Sequence, residues 1–171
     1  SQRIIDLIQP NPDDSLLDIC AAPGGKSLAI AINRKCRLFS NDKSKIRLKM
    51  LEKEIVRIKE HLVTMPKITN FNPLIPKQLN SLFNLAKDGF DYIILDAPCS
   101  GSGIMRRRPD VPWTKTRQQL ETLVTIQSKL LDACWQILKN RGILIYCTCS
   151  IFYNEGEGQV AKFLKRRQNV N

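Results

Sequence analysis

Histidine is nearly missing from this chain of 171 residues, with His61 the only one. That excludes the Ser–His and Cys–His relays that generate a nucleophile in many hydrolases. It also thins the ligand set for zinc, which ordinarily takes four side chains at short His or Cys spacings. The cysteines do not make up the shortage. Cys20, Cys36, Cys99, Cys134, Cys147 and Cys149 include no C-x-x-C pair, so no metal is expected. Long apolar runs are missing too: none approaches the roughly 20 residues that cross a bilayer, and no membrane partner is expected. The opening SQRIIDLIQP has neither the charge nor the small-residue pattern of a secretory signal. The thiols therefore read as reduced and the compartment as intracellular: cytoplasmic in a bacterium, nucleolar or organellar in a eukaryote. The absence of an initiator Met reads as an excerpt of a longer protein. Acidic residues are in deficit, 16 against 27 Lys and Arg, for a formal net charge of +11. Such an excess favours a polyanion, nucleic acid being the commonest, although solvated lysines would carry the same charge without a partner. Two phosphate-binding signatures, G-x-G-x-x-G and G-x-x-x-x-G-K-[ST], are also absent. Their absence argues against a nicotinamide-dependent oxidoreductase.

What is present is a regular alternation. Hydrophobic residues make up 43%, enough for one globular domain. Short apolar runs over 16–19, 36–40, 67–71, 90–95 and 143–147 predict strands. Helical spacing is read from about Lys26 and over 44–61, 77–87, 116–139 and 154–167, with Asn140, Arg141 and Gly142 as a stop after the fourth. Strands alternating with helices predict an α/β, Rossmann-like fold: a mostly parallel sheet of about five strands with helices on both faces. Ligands in such folds bind beyond the carboxyl ends of the strands, and each motif below falls at one of those ends.

After the first strand stands DICAAPGGKS, residues 18–27. Its small residues allow close backbone approach, and the free amides at the next helix start suit an anion. As plain structure it is a tight strand-to-helix turn. Asp42, after the second strand, can accept two hydrogen bonds from a ribose diol, or can serve simply as a helix N-cap. DAPCSGSG, residues 96–103, places an acid, a proline-stiffened turn and a thiol after the strand over 90–95. The basic run that follows, IMRRRPDVPW over 104–113, gives Cys99 an electropositive setting that favours thiolate. That run reads as a nucleic-acid contact loop or as a solvated charge run. CTCS, residues 147–150, ends the next strand and puts Cys147 and Cys149 on one side if the strand continues that far.

If a cofactor in this crevice donates an electrophilic methyl group, two thiols and a carboxyl belong together. Carbon 5 of cytosine is too weak a nucleophile unaided. A thiolate adding to carbon 6 makes the ring enamine-like, a carboxyl near nitrogen 3 stabilises the adduct, and a base then removes the carbon 5 proton. The base must leave its stack, which is easiest in single-stranded or loop RNA.

DICAAPGGKS, SND, DAPCSGSGIMRRRPD, and YCTCS followed by Asn154 and Glu155 occur in the order of the motifs of the Sun-type, Fmu-like RNA 5-methylcytosine methyltransferases. The resemblance spans nearly the whole chain. It implies a class I methyltransferase fold truncated at both ends, with 1–171 a partial catalytic domain lacking the family's RNA-binding segments. It also implies S-adenosylmethionine as cofactor, and RNA as substrate, ribosomal RNA before tRNA, acted on by a monomer. Cys149 is then the covalent nucleophile and Cys99 the release thiol. Asp96 contacts the cytosine and the methionine end of the cofactor, and Lys26 lies near both. Cys20, Ala21, Gly24 and Gly25 line the methionine side, with Ala22, Pro23 and Pro98 in the same lining. Asp42 holds the ribose, with Arg47 nearby. Asn72 stands nearest to the family's adenine-contacting Asp. The alternative to an enzyme is a catalytically degenerate RNA-binding domain of the same fold.

Overall fold

A computed structural model of the chain describes residues 6–106 and 116–167. Five strands, β1 (Ser15–Asp18), β2 (Arg37–Asn41), β3 (Lys67–Thr69), β4 (Phe90–Asp96) and β5 (Leu138–Cys147), form one sheet in the order β3-β2-β1-β4-β5. Every neighbouring pair is parallel. The helices α1 (Gly25–Asn33), α2 (Lys45–Arg57), α3 (Pro76–Phe83), α4 (Arg117–Ile137) and α5 (Glu157–Arg166) cover both faces.

Alternation along β1 sorts the two faces. Leu17 joins Phe39, Phe90, Ile93 and Leu95 in a core closed by Leu79 and Leu82 of α3, Leu130, Leu131 and Ile137 of α4, and Phe163 of α5. Leu16 points the other way, with Leu38 and Ile94, against Ile30 and Ala31 of α1. Leu48, Leu51 and Ile55 form the buried stripe of α2 and pack on Ala21 and Ala22. Side chains of this kind each gain about 1.5–3 kcal/mol on full burial, so strands covered on both sides need near-continuous apolar sequence. Local signals start the helices: Pro76 opens α3, and Thr116 with Gln119 forms a capping box for α4.

Several boundaries differ from the sequence reading. α4 ends at Ile137, and β5 starts at once at Leu138 instead of at Ile143. The Asn140-Arg141-Gly142 stop is an irregularity inside that strand. Arg141 takes φ 63, and the pairing jumps from Phe90 with Leu138 to Tyr92 with Ile143. The helix expected over 44–61 becomes α2 plus a short 3-10 turn, Lys59–His61. The third strand stops at Thr69, α3 stops at Phe83, and α5 starts only after the 3-10 turn Tyr153–Glu155. Arg107, Arg108 and Trp113 of the basic loop lie outside the described residues.

Candidate active site

The chain runs from β1 outward through β2 to β3, then returns to lay β4 on the other side of β1. The connections after β1 and β4 run to opposite sides, β1 to β2 and β4 to β5, opening a crevice at the carboxyl ends of β1 and β4. A cleft of about 270 Å³ lies there. Cys20, Ala22 and Pro23 line it from the loop after β1, Asp42 and Arg47 from beyond β2, and Asn72 from beyond β3. Asp96 faces it from the end of β4, Pro98 and Cys99 from the loop after β4, and Cys149 from beyond β5, with Ile126 and Leu130 of α4 adding apolar wall. Ala21, Gly24 and Gly25 do not line it; they shape the loop behind.

Packing separates the two glycines. Gly24 takes φ 122, and a Cβ there would lie 2.5 Å from the Leu51 side chain, whereas Gly25 has open space around it. The amide of Ala21 donates to the carbonyl of Asn41 at 2.8 Å. Arg47 donates to the carbonyl of Ala22 and lies 3.4 Å from Asp42. This ties the loop after β1 to the start of α2. Asp42 is 3% exposed. Its Oδ1 accepts from the amide of Ser44 at 2.9 Å, while Oδ2 is buried without a hydrogen bond. Ser44, not Asp42, caps α2, accepting from the amide of Arg47. That Oδ2 is the oxygen facing the Arg47 guanidinium at 3.4 Å, an ion pair without a formed hydrogen bond at the edge of the cleft.

Asp18, at the end of β1, is fully enclosed. It accepts from Ser27 Oγ at 2.7 Å, and Ser27 accepts from Ser40 Oγ at 2.8 Å. Its other oxygen has no partner. Burial raises its pKa to about 7, with the hydrogen bond from Ser27 opposing and Asp96 adding to the rise.

At the mouth, Lys26 Nζ donates to Asp96 Oδ2 at 2.5 Å. This pins the first turn of α1 to the end of β4; Asp96 lines the cleft and Lys26 stands behind it. The two thiols expected to act together are brought into contact, with Cys99 Sγ 3.1 Å from Cys149 Sγ. β5 ends at Cys147, so Cys149 reaches this position from the loop beyond the strand rather than by alternation along it. Cys147 packs instead against the core on the α1 side. Burial, and then the Cys99 thiol, push the pKa of Cys149 up to about 12. Cys20, in the cleft wall, is raised to about 12 by burial and by the carboxylates of Asp18, Asp42 and Asp96. All six cysteines are free.

Asn72 holds its own turn. Its amide donates to Gln78 Oε1 at 2.6 Å, and its Oδ1 accepts from the amide of Leu74 at 3.1 Å. A carbonyl oxygen has two lone pairs, and this hydrogen bond uses one of them. Among the described residues no group of His, Cys, Asp and Glu could hold a metal ion, and no helix is long and apolar enough to cross a membrane.

The sequence motifs contain Asp18, Ser100, Ser150 and Glu155 but assign none of them a role, and they do not include Gln127; Ser100, Ser150, Glu155 and Gln127 form a polar cluster behind the thiols. Gln127 did leave a signal. It occupies the buried stripe of α4 otherwise made of Leu130, Leu131, Cys134 and Ile137, and a polar residue in such a stripe calls for a partner.

Residues 5–171 match the family model described as 16S rRNA methyltransferase RsmB/F. The ribosomal RNA small subunit methyltransferase B of Proteus mirabilis is 36% identical over 171 residues, which cover 99% of this chain and 38% of that protein. The counterpart from Photorhabdus laumondii is 34% identical over the same shares of the two chains. The chain thus spans well under half the length of these relatives. Among solved structures, NSun6 from Pyrococcus horikoshii with SFG superposes at a TM-score of 0.77 and 30% identity, covering 96% of this chain and 39% of that one. The five-stranded parallel sheet is that of the class I S-adenosylmethionine-dependent methyltransferases.

Proposed function

The chain belongs to the RsmB/F family of 16S rRNA methyltransferases, and from that premise we propose that residues 1–171 are the catalytic domain of an enzyme that methylates carbon 5 of a cytosine in RNA, ribosomal RNA before tRNA. The observation that carries this reading is the meeting of Cys99 and Cys149, 3.1 Å apart at the edge of a cleft that also holds Asp96. A methyltransferase acting on nitrogen or oxygen needs no pair of thiols. Carbon 5 of cytosine does, because its nucleophilicity has to be created by addition at carbon 6 and removed again afterwards.

The family's cofactor is S-adenosylmethionine, which when bound supplies an electrophilic methyl group. The residues present fit it. Asp42 lines the cleft with a carboxylate whose Oδ2 makes no hydrogen bond and faces Arg47 at 3.4 Å, a group that a ribose diol can engage. Cys20, Ala22 and Pro23, braced by Ala21, Gly24 and Gly25, form a close-packed loop for the methionine side. Asn72 keeps an acceptor for the adenine amino group, and Pro98 completes the wall.

As the sulfur of Cys149 adds to carbon 6, its proton passes to nitrogen 3, where Asp96 stabilises it, the pair of Asp96 and Lys26 holding the cytosine edge. After transfer, Cys99 as thiolate takes the carbon 5 proton, the bond between carbon 6 and sulfur breaks, and Cys149 leaves and recovers the proton from nitrogen 3. The net charge of +11 supports a phosphate-rich partner. The bacterial relatives support the cytoplasm as the compartment. Bisulfite sequencing of RNA from cells lacking the gene tests the reading. One or more ribosomal cytosines should lose methylation, and an unchanged map of both ribosomal and transfer RNA contradicts it.

One observation favours a second reading, a degenerate RNA-binding domain: the amide Asn72 stands where the family pattern has a carboxylate. Calorimetry on the full-length protein separates the two. Binding of S-adenosylmethionine supports the enzyme, and no detectable heat with retained RNA binding supports the degenerate domain.

A further inference from the structure

Ser100 follows Cys99 and Ser150 follows Cys149, and both turn inward to the same carboxylate. Glu155 is 1% exposed. Its Oε1 accepts from the amide of Ser100 and from Gln127 Nε2, each at 2.9 Å. Its Oε2 accepts from the hydroxyls of Ser100 at 2.5 Å and Ser150 at 2.6 Å. The backbone carbonyl of Glu155 accepts from Tyr146 on β5 at 2.6 Å. Around this centre the two loops are in close contact. The amide of Gly103 donates to the carbonyl of Cys149 at 2.8 Å, and a Cβ on Gly103 would lie 2.7 Å from that oxygen. Burial alone would raise the carboxyl of Glu155, but the hydrogen bonds from Ser100, Ser150 and Gln127 outweigh it and hold the group below its usual range.

A buried charge is costly unless its lone pairs are all used, and here four donors use them. Three of the four come from residues adjacent to the two cysteines. The carboxylate is not part of the cleft wall, so it touches no reacting atom. We infer that Glu155 is a positioning residue whose side chain clamps the loops after β4 and β5 so that the Cys99 and Cys149 thiols face one pyrimidine ring. The assignment rests on the roles proposed above for the two thiols. Reach is what matters. Aspartate is one methylene shorter and cannot touch Ser100 and Ser150 together. Glutamine keeps the length, its carbonyl taking the Oε1 donors and its amide donating to the two hydroxyls, which can also accept.

The separation of the thiols can be read without RNA or cofactor. Diamide oxidises two neighbouring thiols to a disulfide: the sulfurs lose two protons and two electrons, and the reagent's N=N bond becomes a hydrazine. Closing from 3.1 Å to a bond of about 2.05 Å needs only a small approach if the clamp is intact. The initial rate of Cys99–Cys149 disulfide formation, followed by peptide mass spectrometry in the full chain, should fall about tenfold or more in Glu155→Asp and Glu155→Ala and stay within about threefold in Glu155→Gln. Near-UV circular dichroism at the assay temperature checks folding. Where a Glu155 variant does not fold, Ser150→Ala removes one donor and should slow the reaction measurably. A wild-type rate in Glu155→Asp or Ser150→Ala overturns the clamp, as does a Glu155→Gln rate as low as that of Glu155→Ala. Loss of RNA methylation as the proposed function, by contrast, would leave this rate order unchanged.

Discussion

With burial and the Cys99 thiol pushing its pKa up to about 12, Cys149 carries little thiolate at neutral pH, so in the proposed reaction its proton must find an acceptor before sulfur can bond to carbon. The neighbouring thiol is part of the reason, which gives a direct check. Cys99→Ala removes both the hydrogen bond and the adjacent sulfur, and Cys149 should then alkylate faster with iodoacetamide. The gain should be about threefold for every tenfold rise in thiolate, since a less basic thiolate is also a weaker nucleophile. An unchanged or lower alkylation rate would show that the thiol pair does not set the acidity of Cys149. The arginine-run setting expected to favour thiolate at Cys99 rests largely on Arg107 and Arg108, outside the described residues. Asp18 belongs to the same scale. Its folded pKa of about 7 exceeds its ordinary value of 3.8 because burial disfavours the charge. The fold therefore favours the neutral acid, and the associated stability is present below about pH 4 and lost as pH rises through about 7. Thermal melts across that window should show a decline in Tm for the wild type that is smaller in Asp18→Asn. Parallel pH profiles for the two proteins would contradict the buried-acid account.

The loop between β1 and α1 shows how elements divide work that the sequence leaves undivided. Gly24 and Gly25 look alike in the motif, but Gly24 has positive φ and packs against Leu51 of α2, while Gly25 begins α1 with free space around it. Gly24→Ala should cost about 1–3 kcal/mol by denaturant unfolding. Gly25→Ala should leave stability within about 1 kcal/mol. Equal costs would mean that the α1–α2 contact does not fix the loop. Which glycine is the tight one was not legible, because the clash comes from a side chain 27 positions away along the chain. The β5 boundary failed for a related reason. Asn140-Arg141-Gly142 has the chemistry of a helix stop, but pairing with β4 continues across it, and only the neighbouring strand supplies that information.

For the whole molecule, alternating apolar runs and helical spacings were enough to anticipate a parallel α/β sheet with its motifs at the strand ends, because buried parallel strands require continuous apolar sequence. The cleft residues Cys20, Asp42, Asn72, Asp96, Cys99 and Cys149 were each placed at a strand end by the sequence, and the fold gathers them at the reversal between β1 and β4. Hidden from the sequence were the interactions that hold the ends in place: the link from Lys26 to Asp96, the chain from Asp18 through Ser27 to Ser40, and the convergence of two loops on Glu155. Each joins segments whose proximity follows from the sheet order alone.

The most direct test of the central claim, that Cys149 attacks the base while Cys99 assists release, is to incubate the full-length protein with S-adenosylmethionine and RNA carrying 5-fluorocytosine, then map the crosslinked peptide. Fluorine at carbon 5 leaves no proton to remove after methyl transfer, so the adduct persists. The account predicts a methylated fluorocytidine on Cys149 and no adduct in Cys149→Ala. An adduct on Cys99, or trapping that survives Cys149→Ala, would contradict it.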